Sequence, residues 1–146
     1  MNFGRVDPAA YRALGALETY LRDSGLKPSH SHLLKTRASQ LNGCGYCVDL
    51  HVRQAVADGE TDRRLHALVV WKESPLFSEE EKALLALTEE VTLIQGRVSD
   101  ETWNRALSLW GEAYLAVVIM AIITINAWTR IGVSTEMVPA VEAAAL

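Results

Sequence analysis

The chain lacks the features of a secreted disulfide scaffold and of a nucleic-acid-binding protein. Two cysteines among 146 residues are too few to staple a small secreted fold. Fourteen basic residues against eighteen acidic residues give a formal net charge of −4, so the basic excess that neutralises phosphates is missing. The first residues also lack the apolar core of a signal peptide. We therefore expect a cytoplasmic protein that binds no nucleic acid.

Long apolar runs are equally scarce. Residues 114–125 are nearly all apolar, but the run is short, with Glu112 before it and Asn126 directly after it. A membrane-spanning helix needs about 20 apolar residues, and shorter runs are more often buried core helices. This segment is therefore predicted to be a central helix of a soluble protein that does not enter a membrane.

The sequence that is present predicts an all-α fold, with a single helical domain over residues 1–146. Hydrophobic residues make up 49% of the chain, enough for a real core. Apolar side chains recur at helical spacing, and Ser, Thr, Asp, Pro and Gly stand where helices should start and stop. Six or seven helices are expected, over about residues 7–23, 28–41, 44–58, 61–71, 78–94, 99–110 and 112–132. From Thr135 onward we expect a loosely held tail.

The candidate chemistry lies in Cys44, Cys47 and His51. On a helix these side chains fall within about 60° of one another, so they share one stripe. Asn42 and Gly43 precede Cys44, which places that sulfur in the first turn, where the helix dipole favours the thiolate. A thiolate can attack a peroxide, and a neighbouring thiol can then condense with the product to form a disulfide. His51 could move the proton.

Two other interpretations of these residues stay open. The same side chains could form an ordinary buried stripe, since cysteine is often a core residue. They could also supply three zinc ligands, with His30, His32 or His66 as the fourth, although no second cysteine pair is present. Asn126 interrupts the most apolar helix and is expected to tie helices together or to line a subunit contact.

Residues 35–51, which run from Lys-Thr-Arg-Ala-Ser-Gln-Leu-Asn-Gly to the Cys-Gly-Tyr-Cys segment and His51, resemble the core motif of alkylhydroperoxidase D-like proteins. These proteins belong to the carboxymuconolactone decarboxylase superfamily. Similar residues recur downstream, so the resemblance covers most of the chain; they are Gly59 to Thr61, Trp71 to Glu73, Phe77 to Glu81, Leu87 to Glu89 and Ile125 to Trp128.

The resemblance implies an all-helical fold and a cysteine pair that reduces hydroperoxides. An external dithiol, in some relatives a lipoyl-bearing protein, would then restore the thiols. It also implies a homo-oligomer, commonly a trimer or a hexamer. In peroxidase members the second cysteine attacks the peroxide, which makes Cys47 peroxidatic and Cys44 resolving. The helix dipole instead favours Cys44 as the more acidic thiol, so the two arguments disagree.

One position departs from the family pattern. The family's proton relay usually includes a glutamate twelve residues before the first cysteine, and this chain has His32 there. A histidine can pass protons near neutral pH, so His32 is a candidate relay partner of His51. It does not supply the negative charge that would hold a protonated imidazole. Tyr46, between the cysteines, is expected to pack rather than react.

The favoured function is therefore a thiol peroxidase-like antioxidant enzyme with Cys44, Cys47, His51 and His32 as site residues. The dithiol supplies both electrons, so no cofactor or metal is required. A second hypothesis is a lactone decarboxylase or isomerase, as in other branches of the superfamily. A third is a non-enzymatic oligomer whose cysteines sense redox state or pack the core.

Overall fold

The computed structural model describes residues 1–140, and within them it contains helices and no strand. The all-α prediction is confirmed. The helices are α1 (Phe3–Val6), α2 (Pro8–Asp23), α3 (Pro28–Leu41), α4 (Gly45–Ala57), α5 (Asp62–Ala67), α6 (Glu79–Leu93) and α7 (Asp100–Ser134), with a 3₁₀ turn (Leu68–Val70) after α5.

Local capping signals account for several of these boundaries. The side chain of Asp7 accepts a hydrogen bond from the backbone N–H of Ala10, and Pro8 stands at the first helical position of α2. Ser78 and Glu81 form the reciprocal capping box at the start of α6. Each cap satisfies an N–H that the first helical turn leaves without a partner. These helix starts could be predicted because their causes lie within a few residues.

Three parts of the helix prediction need correction. The short α1 was not predicted. The fourth predicted helix stops at Ala67 and tightens into the 3₁₀ turn, instead of continuing to Trp71. The sixth and seventh predicted helices follow one another without a loop, because only Gly111 (φ 70°, ψ 172°) leaves helical geometry between Asp100 and Ser134. The predicted break at Gly111 is therefore real, but it is a one-residue kink.

Helix α7 forms the centre of the core. It packs against α2, α3 and α6, and Val118, Ala121, Ile122 and Ile125 on its inner face are fully buried. By length and composition α7 could cross a membrane. Its buried inner face and its helical neighbours are instead those of a core helix, as the sequence predicted for residues 114–125.

The segment directly after α7 is fixed by hydrogen bonds, although the sequence predicted a loosely held tail there. The backbone N–H of Thr135 donates to the carbonyl of Ile131, and the N–H of Met137 donates to that of Gly132. The N-terminal amine of Met1 lies 3.3 Å from the carbonyl oxygen of Thr135. The prediction of a loose tail is therefore wrong for residues 135–137, and residues 141–146 lie outside the described part of the chain.

Candidate functional site

Cys44 and Cys47 are joined by a disulfide at the start of α4. Cys44 is the N-cap residue, and its sulfur accepts a hydrogen bond from the backbone N–H of Cys47 at 3.3 Å. Both residues are buried, with 3% and 5% exposed. The sequence predicted that these two side chains lie close together. In the structure they are bonded to each other where α4 begins.

The turn before Cys44 is tied to α7. Gly43 adopts a positive φ of 66°, which glycine tolerates at little cost. The side-chain amide of Asn42 donates to Asn126 Oδ1 and to Thr129 Oγ1, both at 2.9 Å. Asn126 in turn donates to Thr92 Oγ1 at 3.0 Å. Asn126 thus links α7 to α6 and to the turn that presents the cysteines, as its buried polar side chain suggested.

Gly132 brings the backbone of α7 directly against the disulfide. A Cβ atom placed on Gly132 would lie 2.9 Å from Cys44 Sγ and 3.2 Å from Cys47 Sγ. The sequence suggested this glycine only as a helix end. It lies instead inside the last turns of α7, where its missing side chain makes room for two sulfur atoms. A residue 85 positions beyond Cys47 gives no local signal of this contact.

Cys47 faces a cavity of about 300 Å³, whereas Cys44 is not among the described residues that line it. The apolar wall consists of Tyr11, Leu50, Ile125, Trp128, Ile131 and Met137. The rings of Tyr11 and Trp128 meet edge to face, with centroids 4.9 Å apart. Tyr46 also lines the cavity. Access from the cavity therefore favours Cys47, over Cys44, as the sulfur that meets a substrate.

His51 lines the same cavity and is neutral at physiological pH. Burial lowers the pKa of its imidazole to about 4, against a smaller opposing effect of the hydrogen bond to Gln54. Nδ1 lies 3.0 Å from Gln54 Oε1, and a carbonyl oxygen only accepts, so Nδ1 carries the proton. Nε2 then holds the lone pair. The lowered pKa therefore keeps this lone pair unprotonated at neutral pH, and Gln54, which the sequence did not indicate, fixes the tautomer.

His32 lies next to this cavity and not in it. Its Nε2 is 2.8 Å from Asp58 Oδ2 at the end of α4, and it lines a second cavity of about 380 Å³. The relay from His32 to His51 stays a prediction. Glu18 and Lys35 line both cavities and form an ion pair at 2.7 Å. Glu18 is thus a carboxylate of the site that the sequence did not indicate.

The histidines proposed as fourth zinc ligands are spread apart. His30 contacts the hydroxyl of Tyr114 at 2.9 Å, and His32 contacts Asp58. Within residues 1–140, no group of three or more His, Cys, Asp or Glu side chains is arranged to hold a metal ion. The described site therefore gives the zinc interpretation no support.

The close contact at Gly132 predicts that a larger residue at this position destabilises the oxidised protein more than the reduced protein. Gly132→Ala should lower the free energy of unfolding of the oxidised protein by about 1–3 kcal/mol, the usual cost of overpacking. The cost should be smaller in the reduced protein, whose sulfur atoms can move apart. Gly15→Ala is the matched control: Gly15 lies within α2 with open space around it, so alanine should stabilise by about 0.5–1 kcal/mol. Urea unfolding of both redox forms measures these differences, and equal behaviour of the two variants would contradict the contact.

Because His51 is buried in its neutral form, the protein is predicted to become less stable as the pH falls. Because its pKa falls from 6.5 to about 4 on folding, the unfolded chain binds more protons between these values. The free energy of unfolding must therefore fall as the pH drops through this window, by about 3 kcal/mol from this group. His51→Gln removes the titration, so the variant should lose less stability than wild type over the same window. Urea unfolding at both ends of the window tests this, and identical losses would show that His51 is not buried in its neutral form.

Comparison with known proteins agrees with this geometry. Residues 8–90 match the model of the carboxymuconolactone decarboxylase family. The chain is 34% identical to the uncharacterized protein YdfG of Bacillus subtilis, over 92% of both chains. It is 35% identical to the uncharacterized protein YnjA of Escherichia coli, over 56% of this chain and 45% of that protein.

A solved structure extends the likeness to the whole fold. It is the crystal structure of a protein of unknown function from Agrobacterium tumefaciens, provisionally named as the antioxidant defence protein AhpD. The TM-score is 0.94 with 35% sequence identity, covering 97% of this chain and 98% of the other. The chain is therefore an AhpD-like member of the carboxymuconolactone decarboxylase family.

Proposed function

We propose that this protein is a thiol peroxidase that reduces hydroperoxides through a dithiol–disulfide cycle of Cys44 and Cys47. The observation that carries the proposal is the buried Cys44–Cys47 disulfide, whose second sulfur faces a cavity that it shares with a neutral His51. The family and the AhpD-like fold support an antioxidant-type role. The cysteines are already close enough to bond, so the cycle needs no rearrangement of the fold.

In the first step Cys47 is the nucleophile. The lone pair of His51 Nε2 accepts the thiol proton as the sulfur attacks one oxygen of the hydroperoxide. The O–O bond breaks, Cys47 becomes a sulfenic acid, and the leaving alkoxide takes the proton from His51 to give an alcohol. This assignment agrees with the order of the two cysteines that the family resemblance implies. The helix dipole favours Cys44 as the more acidic thiol, but Cys47 is the cysteine that lines the cavity, so the attack is assigned to Cys47.

Cys44 resolves the intermediate. Its sulfur attacks the sulfenic acid sulfur of Cys47, and the thiol proton leaves with the hydroxyl group as water. An external dithiol then exchanges with the disulfide and leaves as its own disulfide, so one hydroperoxide and one dithiol give an alcohol, a water molecule and an oxidised donor. A lipoyl-bearing protein is the donor class that the resemblance implies. The apolar, aromatic wall of the cavity suits an organic hydroperoxide.

The proposed assembly is a homo-oligomer, a trimer or a hexamer, in the cytoplasm. Ile123 on α7 is 46% exposed, although Ile122 beside it is fully buried. Trp103 and Leu109 on the same helix are also exposed, at 41% and 45%. Large apolar side chains that stay exposed on α7 support a subunit contact that involves this helix. Light scattering should give a mass of at least three chains, and Ile123→Glu should lower it; a monomeric wild type would contradict this.

Two cysteine variants test the proposed roles. Cys47→Ser should reduce dithiol-dependent consumption of cumene hydroperoxide to the uncatalysed rate, because the attacking sulfur is gone. Cys44→Ser should still react once with the peroxide and stop at a Cys47 sulfenic acid, which a sulfenic-acid-specific reagent would trap. Peroxide consumption and mass spectrometry of the trapped adduct measure the two outcomes.

Other results would contradict the assigned roles or the proposed function. Wild-type turnover in Cys47→Ser would exclude the mechanism, and a trapped sulfenic acid on Cys44 in Cys47→Ser would reverse the roles. A disulfide that forms only slowly, and is not turned over when lipoamide is added, would indicate a redox sensor. Activity on a lactone that survives alkylation of both thiols would indicate the decarboxylase or isomerase branch.

A further inference from the structure

One ion pair borders both the thiol cavity and the His32 cavity. Glu18 on α2 and Lys35 on α3 are the residues that the thiol cavity and the His32 cavity have in common within the described chain. Lys35 Nζ lies 2.7 Å from Glu18 Oε2. The side chains are 14% and 33% exposed, so water screens this pair less than the surface pairs of the protein.

These two residues are also the formally charged side chains that line the thiol cavity, among the residues that the structure describes. Among the residues that line the thiol cavity, α2 contributes Tyr11 and Glu18, α3 contributes Lys35, and α4 contributes Tyr46 beside Cys47 and His51. The side of the cavity formed by α7 is apolar or glycine. His32 lies beyond the ion pair, in contact with Asp58. Any permanent charge that acts on Cys47 from within the described cavity wall therefore comes from Glu18 or Lys35.

We propose that the Glu18–Lys35 pair sets the thiolate fraction of Cys47, with Lys35 favouring the thiolate and Glu18 limiting that effect. The inference deepens the proposed function, on which its biological meaning rests. A cation near a thiol stabilises the ionised form, and a carboxylate opposes it. Because Glu18 and Lys35 come from two different helices, the balance depends on how α2 and α3 are each placed against α7, which both contact.

The same opposition is already visible at His51. Lys35 lowers the pKa of its imidazole and Glu18 raises it, in addition to the larger effects of burial and of the Gln54 hydrogen bond. His51 follows Cys47 by one helical turn and lines the same cavity. Lys35 and Glu18 should therefore also act in opposite directions on the Cys47 thiol. Lys35 should favour the thiolate, and Glu18 should favour the neutral thiol.

The test follows the ionisation of the Cys47 thiol and does not depend on peroxidase activity. In the reduced full-length protein, the alkylation rate of Cys47 by iodoacetamide is followed against pH and assigned by peptide mass spectrometry. Glu18→Gln should lower the apparent pKa of Cys47 by about one unit, and Lys35→Met should raise it by about as much. One unit is about tenfold in the alkylation rate below the pKa.

Two further variants separate electrostatics from packing. The double variant Glu18→Gln with Lys35→Met loses both charges, so its apparent pKa should return close to the wild-type value. Asp100→Asn is the control: it removes an exposed ion pair with Arg97 (3.2 Å), two residues that line neither cavity, and should leave the alkylation profile unchanged.

The outcomes decide between distinct accounts. A lower apparent pKa of Cys47 in Glu18→Gln together with a higher one in Lys35→Met supports the inference, since a purely structural defect would move both values in the same direction. Shifts of the same sign, or no shift in either variant, would overturn it. Opposite shifts in a protein whose thiols do not react with hydroperoxide would contradict the proposed peroxidase function and leave the electrostatic role of the pair standing.

Discussion

The contact between the backbone of α7 and the two sulfur atoms at the start of α4 is the constraint on which the site depends. It requires a glycine at position 132, because a Cβ there would lie 2.9 Å from Cys44 Sγ. The Asn42–Asn126 hydrogen bond joins the same helix to the turn before Cys44. Together these contacts hold both cysteines against the central helix and direct Cys47 to the cavity, where His51 also lies.

Charge in the site follows from burial and from helix packing. His51 is neutral because desolvation outweighs everything else that acts on its imidazole, and its direct partner is the neutral amide of Gln54. A nearby carboxylate is still present, since Glu18 reaches the cavity from α2. Its partner Lys35 places a positive charge beside it, so the two charges act on the site in opposite directions. The departure at position 32 therefore does not leave the site without an acidic group.

The sequence could predict what depends on neighbouring residues. Capping at Asp7 and Ser78, the break at Gly111 and the juxtaposition of Cys44 with Cys47 all follow from spacings of a few positions. Glu18, Gln54 and Gly132 were missed for different reasons. Gln54 lies one turn after His51 and could have been considered, but Glu18 and Gly132 reach the thiol cavity only through the packing of α2 and α7. His32 has the spacing of a relay residue, yet its ring lies against Asp58.

The central claim is that a hydroperoxide converts this cysteine pair into the disulfide. The most direct measurement is a count of free thiols in the reduced protein before and after one equivalent of cumene hydroperoxide, under a denaturing quench. The account predicts rapid loss of both thiols of each chain, with no crosslink between chains. Two thiols that persist unchanged would contradict it, and would show that the Cys44–Cys47 pair is inert toward peroxide.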